Sequence, residues 1–242
     1  MRDSLPSRTG TLTPSAVTAR TFTSTTLVAT AIVSAALGAW IGARLARPGR
    51  TAPTGSVASW STRPPNRRRR AKLDLIRFED DGTIPNNPGL PLVHYHAALQ
   101  PSELTARNDP AEAFEDLFGR NGWGGTWRDG IYDYHHYHST AHEVLGIARG
   151  EARLRLGGEN GVTVAVQAGD AILIPAGVGH KNEGASADLL VVGASLHGQV
   201  ADLCTGTPEE RNSALTAIAR VGLPAADPVL GHSGSASREW RR

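Results

Sequence analysis

Cysteine is nearly missing from this sequence: Cys204 stands alone among 242 residues. A single thiol permits no intramolecular disulfide and no cysteine-based zinc cluster, which fits a reducing compartment. Its side chain reads as a small, half-buried apolar residue. Acidic residues are almost absent from the first 72 positions, where Asp3 stands against 12 lysines and arginines. The other 170 positions hold 13 basic and 22 acidic residues. The net charge of +2 therefore conceals two opposite halves. The basic part has little core-forming capacity and the folded part is acidic, so no nucleic-acid-binding domain is expected. There is no Ser-His-Asp signature, no nucleotide-binding fingerprint and no internal repeat. Gly157-Gly-Glu-Asn-Gly161 lacks the Lys-Ser/Thr pair and following helix of a phosphate loop, and reads as a hairpin loop.

Residues 1–26 are rich in Ser and Thr, with Arg2, Arg8 and Arg20, the composition of an organellar targeting segment. Thr21 to Ala43 then runs 23 residues without a charge. As a helix that run would be about 34 Å long, enough to cross a bilayer core, so a transmembrane helix is expected over 27–46. Arg44, Arg47 and Arg50 follow, and the positive-inside bias puts the rest of the chain in the cytoplasm or an equivalent matrix. The expected localisation is membrane-anchored or mitochondrial; a cleaved presequence is the alternative. Residues 47–72 read as a basic linker, with frequent Pro, Gly, Ser and Thr and the run Arg67–Arg70.

Residues 73–242 form the expected folded domain. Leu73–Phe78 alternates as an edge strand would, and Leu92–Ala97 reads as a second strand. Part of Pro101–Gly119 reads as helix, with Asp109 as N-cap before Pro110. Short strands divided by glycines follow, over about 132–138, 143–149, 152–156, 162–166, 171–174 and 188–195, with a helix over Pro208–Val221. Short strands at close spacing predict an all-β sandwich or barrel with a few peripheral helices.

Nine histidines are present, four of them between His135 and His142. In a strand over Tyr134–His138, His136 and His138 share one face and His135 and Tyr137 take the other. Two imidazoles on one face chelate a cation. Glu143 follows closely, and His180 comes after the Gly/Pro turn Pro175–Gly179. Three imidazoles and a carboxylate suit Fe(II), Mn(II), Ni(II), Cu(II) or Zn(II) better than Ca(II), and leave one or two positions open on an octahedral ion. His142 should face away from the site as a supporting residue. Tyr134 shares parity with His136 and His138 and is the candidate acid–base group. His94-Tyr-His96 repeats the His-x-His spacing without a glutamate at the matching distance, and reads as lining the barrel mouth. Trp123 and Trp127 read as cover for the sheet rather than as a lid.

The spacing resembles that of the cupins. Gly130, five residues, His136-Tyr-His138, four residues, Glu143, six residues and Gly150 fit the first cupin motif. Gly169, five residues, Pro175-Ala-Gly177, two residues and His180 fit the second, although Gly184 stands where that motif ends in Asn. Asp81–Pro88, Gly130–Gly146 and Ile174–His180 look like the YjlB-like branch, over roughly residues 73–232, with the motif core at 130–184. The resemblance implies a double-stranded β-helix (jelly-roll barrel) and one divalent transition metal on His136, His138, Glu143 and His180. It implies a small-molecule substrate or ligand and a homodimer paired through sheet edges. It does not supply a reaction, because this fold hosts dioxygenases, isomerases, decarboxylases and binders alike.

Overall fold

The computed structural model describes residues 72–240. Nine strands and four helices form there: β1 Lys72–Ile76, β2 Leu92–His96, α1 Pro101–Thr105, α2 Pro110–Gly119, β3 Trp123–Asp129, β4 Glu143–Arg149, β5 Glu151–Leu156, β6 Val162–Gln167, β7 Ala171–Ile174, β8 His180–Ala185, β9 Leu190–Leu196, α3 Pro208–Ile218 and α4 Ser235–Glu239. One sheet has six strands in the order β1-β2-β7-β4-β9-β3, and a second has three in the order β6-β5-β8. All the strand pairings are antiparallel. The two sheets form the expected double-stranded β-helix, with helices packed outside.

Strand parity explains the layering. On β4, Leu145 and Ile147 point between the sheets, where they meet Leu92, Ile172, Ile174, Leu154 and Leu156. Val144 and Ala148 point the other way, into a second core with Phe114, Leu117 and Phe118 of α2. With a core on either face, β4 is buried from Glu143 to Ala148 and reads as a continuous apolar run instead of an alternation. β5 faces water on one side and does alternate, with Ala152, Leu154 and Leu156 buried. Gly146 lets α2 pack close, since a Cβ there would lie 2.4 Å from Phe114 Cδ1.

Local signals set the helix starts. The Asp109 carboxylate accepts from Ala111 N at 3.0 Å, with Pro110 at the first helical position. Thr207 and Glu210 close a capping box on α3. The tail after Pro224 is pinned by Asp227, which is wholly buried and accepts from Tyr95 Oη and from the backbone of Val229, Leu230 and Ala236. Cys204 is buried, and burial, joined by the nearby Asp202 carboxylate, pushes its thiol up to about 11.

Two expectations are corrected. No helix among the described residues is long and apolar enough to cross a membrane. The transmembrane helix expected over 27–46, and the membrane-anchored localisation built on it, therefore find no support. The longest described helix has 11 residues, where a bilayer core needs about 20. Residues 1–71, which include the expected targeting segment, that helix and nearly all of the linker, lie outside the described residues. The strand expected over 132–138 is also absent: only His136 and Tyr137 pair there, as isolated bridges to His180 and Cys204. Trp123–Asp129 and His180–Ala185 form strands that glycine content and polar side chains concealed.

Candidate metal centre

Residues 130–142 join β3 to β4 across one mouth of the barrel, held by a few backbone bonds. His136 and His180 exchange two, at 3.2 and 2.9 Å, and Gly177 N donates to His138 O at 2.8 Å. Tyr137 turns outward from this mouth into a small core with Ile84, Cys204 and Ala214. The alternation thus survives without a regular strand, and His136 and His138 turn inward together. Glu143 opens β4 and His180 opens β8, which brings both to the same end of the barrel.

The turn before His180 is clamped from a distance. Gly177 has φ +92°, and a Cβ there would lie 2.4 Å from Asn86 O, so the position requires glycine. Asn86 Oδ1 accepts from Gly179 N at 3.2 Å, and its amide donates to Glu79 O and Gly157 O. Asn87 donates to Ala176 O at 2.9 Å. The Asp81–Pro88 run, which as sequence showed only turn chemistry, is therefore the support of the His180 turn.

Each of the three histidines has its Nδ1 beside a backbone carbonyl. His136 Nδ1 lies 3.2 Å from Tyr134 O, His180 Nδ1 lies 3.2 Å from Val178 O, and His138 Nδ1 bonds to Asp202 O. A carbonyl only accepts, so each Nδ1 carries the hydrogen and each neutral ring keeps its lone pair on Nε2. His180 Nε2 and His138 Nε2 lie 3.3 and 3.5 Å from Glu143 Oε2. That buried carboxylate oxygen has no hydrogen-bond partner. One donor atom from each of His136, His138 and His180 lies within 4.8 Å of the others. Lone pairs facing an ionised carboxylate repel one another unless a cation or protons come between them.

The charges respond to this crowding. Burial, and then the neighbouring His180, pulls the His136 imidazole down to about 3. Burial also opposes charge on His138, but the Glu143 carboxylate outweighs it and raises that imidazole to about 8. Burial would raise Glu143, yet His138 and His180 outweigh it and hold the carboxyl below the usual range. Without a metal, the pocket's answer to the repulsion is a proton on His138.

A cavity of about 640 Å³ opens over these groups, with Trp127, Tyr132 and Asp202 in its wall. Trp127 packs on Gly193, where a Cβ would lie 2.0 Å from its ring, while Trp123 is buried and donates to Ala226 O. The two tryptophans therefore divide: one covers the sheet and one faces the cavity. Tyr134 is 42% exposed and stacks on Tyr132, and Tyr132 is the tyrosine in the cavity wall. The loop conformation, not strand parity, decides that exchange. His135 turns towards Glu159, 3.1 Å away, and His142 accepts from Ala176 N at 2.9 Å with its ring against Trp240.

Asp202 went unnoticed in the sequence because nothing local marks it. Its carboxylate accepts from the backbone and hydroxyl of both Ser139 and Thr140, the two residues after His138. Burial opposes its charge, but these donors outweigh it and hold its carboxyl low.

Residues 128–193 match the Cupin_2 family, described as the cupin domain. The chain is also 44% identical over 154 residues to YjlB of Bacillus subtilis, itself uncharacterised, covering 64% of this chain and 88% of that one. The chain belongs to the cupins, in the YjlB-like branch. Among solved structures it is similar to an acireductone dioxygenase from Bacillus anthracis with cadmium in its active centre. That match has a TM-score of 0.31, with 16% identity over 46% of this chain and 80% of that one. It is also similar to Bacillus subtilis oxalate decarboxylase, which has Mn(II) centres, with a TM-score of 0.25 and 26% identity over 33% and 22%. At TM-scores this low neither likeness bears on the chemistry of this cupin.

Proposed function

We propose that this cupin is a metal-dependent enzyme acting on a small polar or aromatic molecule. Its ion, one divalent Fe, Mn, Ni, Cu or Zn, is held by His136, His138, Glu143 and His180. The observation that carries the reading is the convergence of lone pairs: each imidazole gives its Nδ1 hydrogen to a carbonyl, and the buried Glu143 oxygen has no donor. Such a donor set fits a borderline transition cation. A bound ion would supply Lewis acidity and, if redox-active, dioxygen chemistry; dioxygenase-like and isomerase-like reactions are the two classes in view. The chain's own residues supply the rest. Asp202 O fixes the His138 ring, Trp127 and Tyr132 present flat surfaces to a substrate, and the apolar layer below Glu143 keeps water from entering beneath. Metal analysis of the purified protein tests the reading. One equivalent of transition metal is expected, and His138→Ala should lose it while staying folded. A folded wild-type protein that takes up no such ion would overturn the assignment.

A non-catalytic small-molecule binder is the second reading. The observation favouring it is that Tyr134, the expected acid–base group, is exposed beside Tyr132 and is not part of the cavity wall. Oxygen consumption or turnover with candidate substrates supports the enzyme. A tight ligand carried unchanged through purification supports the binder.

A further inference from the structure

A second His/Asp cluster lies at the opposite end of the barrel. Asp74 of β1 pairs across the sheet with His94 of β2, and His96 follows two residues on, on the same face. One donor atom from each of Asp74, His94 and His96 lies within 4.8 Å of the others. The imidazoles lie tilted against each other with centroids 3.9 Å apart. The next strand, β7, contributes support from Asp170 just before its start, with Oδ2 3.2 Å from His94 Nε2.

The register sets the distance from the first centre. Glu143 pairs with Ile174 at one end of β4, while Ile147 N donates to Asp170 O at the other. Those four residues of strand span about 13 Å. Leu92, Leu145, Ile172 and Ile147 fill the space between the sheets at the intermediate levels. The second cluster therefore shares no ligand with the first.

We propose that Asp74, His94 and His96 form a second metal site, for a divalent cation of the zinc type. Asp170 accepts from the backbone N–H groups of Ala97 at 2.8 Å and Gln167 at 3.2 Å, which fixes its carboxylate behind His94. With Nε2–H given to that carboxylate, His94 keeps its lone pair on Nδ1, and a carboxylate behind the imidazole is how metal-binding histidines are oriented. His96 Nε2–H donates to Asp74 Oδ2 at 2.6 Å. An ion replacing that proton needs its donors about 3.3 Å apart in a tetrahedral set. Both side chains have room to make that shift, at 34% and 44% exposed. The same exposure gives the ion an entry path and lets water complete its coordination. A second cavity, of about 510 Å³, opens beside His96 and Asp170. The ion ties the edge strand β1 to β2 independently of the first centre.

Zn(II) titrated calorimetrically into the metal-stripped full chain tests the proposal. Wild type is expected to bind two equivalents. Asp74→Asn with His96→Ala should bind one, and so should His136→Ala with His138→Ala and His180→Ala, each checked for fold by circular dichroism. The proposal is overturned if the double variant binds as many equivalents as wild type, or if the folded triple variant binds none. Should the triple variant not fold, the step from two to one in the double variant still decides.

Discussion

Removing the Asp202 carboxylate tests whether the segment over the first centre governs the ion it is proposed to hold. In Asp202→Ala the backbone carbonyl that orients His138 is still present, but its anchor is gone. Four hydrogen bonds to Ser139 and Thr140 disappear together. A hydrogen bond to a charged group contributes about 1.5–3 kcal/mol when fully buried. Here the carboxylate is half-exposed, and water replaces much of that on release. The expected net loss of stability is about 2 kcal/mol, read from denaturant melts of the metal-free protein. The effect on the ion is separate and more telling. Loss of an outer partner of a ligating histidine weakens metal affinity by about 10–100-fold, equivalent to about 1.4–2.7 kcal/mol. Calorimetric titration with Zn(II) measures it, and Ser139→Ala, which removes a single side-chain donor, should show a smaller loss of both quantities. An Asp202→Ala protein that melts earlier yet binds its ion at wild-type affinity would refute the coupling between this clamp and His138.

Stability of the metal-free protein should pass through a maximum near pH 6.5. His136 is held down to about 3, so between pH 3 and 6.5 the unfolded chain binds a proton that the folded one does not, and stability rises with pH. His138 is raised to about 8, so between pH 6.5 and 8 the folded protein holds the extra proton and stability falls as pH rises. Melting temperatures measured in chelator across this range check both limbs; a steady rise to pH 8 contradicts the second. Gly146→Ala should cost about 1–3 kcal/mol in urea melts, because the new methyl group meets the Phe114 ring of the tightly packed outer core. Asp227→Ala should cost about 3 kcal/mol or more, since Tyr95 Oη and three backbone N–H groups lose their shared acceptor in a wholly buried place. A loss under 1 kcal/mol would mean that water enters and replaces it.

Much of the barrel was legible in residue order because its signals are local. β4 and β7 begin and end where short apolar runs divided by glycines place them, and Asp109 and Thr207 cap the helices they precede. Strand parity and motif spacing suggested that His136, His138 and His180 lie together, and one turn and one bridge suffice to bring their donor atoms within 4.8 Å. What escaped was set by the third dimension. β3, with two glycines and mostly exposed side chains, pairs only because β9 offers it an edge. The exchange of Tyr134 for Tyr132 depends on a loop conformation that parity cannot foresee. His94 and His96 looked unpartnered because their carboxylates, Asp74 and Asp170, come from neighbouring strands far away in sequence. Asn86 and the Asp202 carboxylate likewise act across long loops on backbone N–H groups, which leave no trace in side-chain pattern.

The apolar layer of Leu92, Leu145, Ile147 and Ile172 between the two polar ends makes the barrel a vessel with a floor. Nothing can be threaded through it. Any molecule held above Glu143 would enter and leave on the same side of that floor. The depth of the cavity is thus set by four aliphatic side chains, of which only Leu145 reaches its wall.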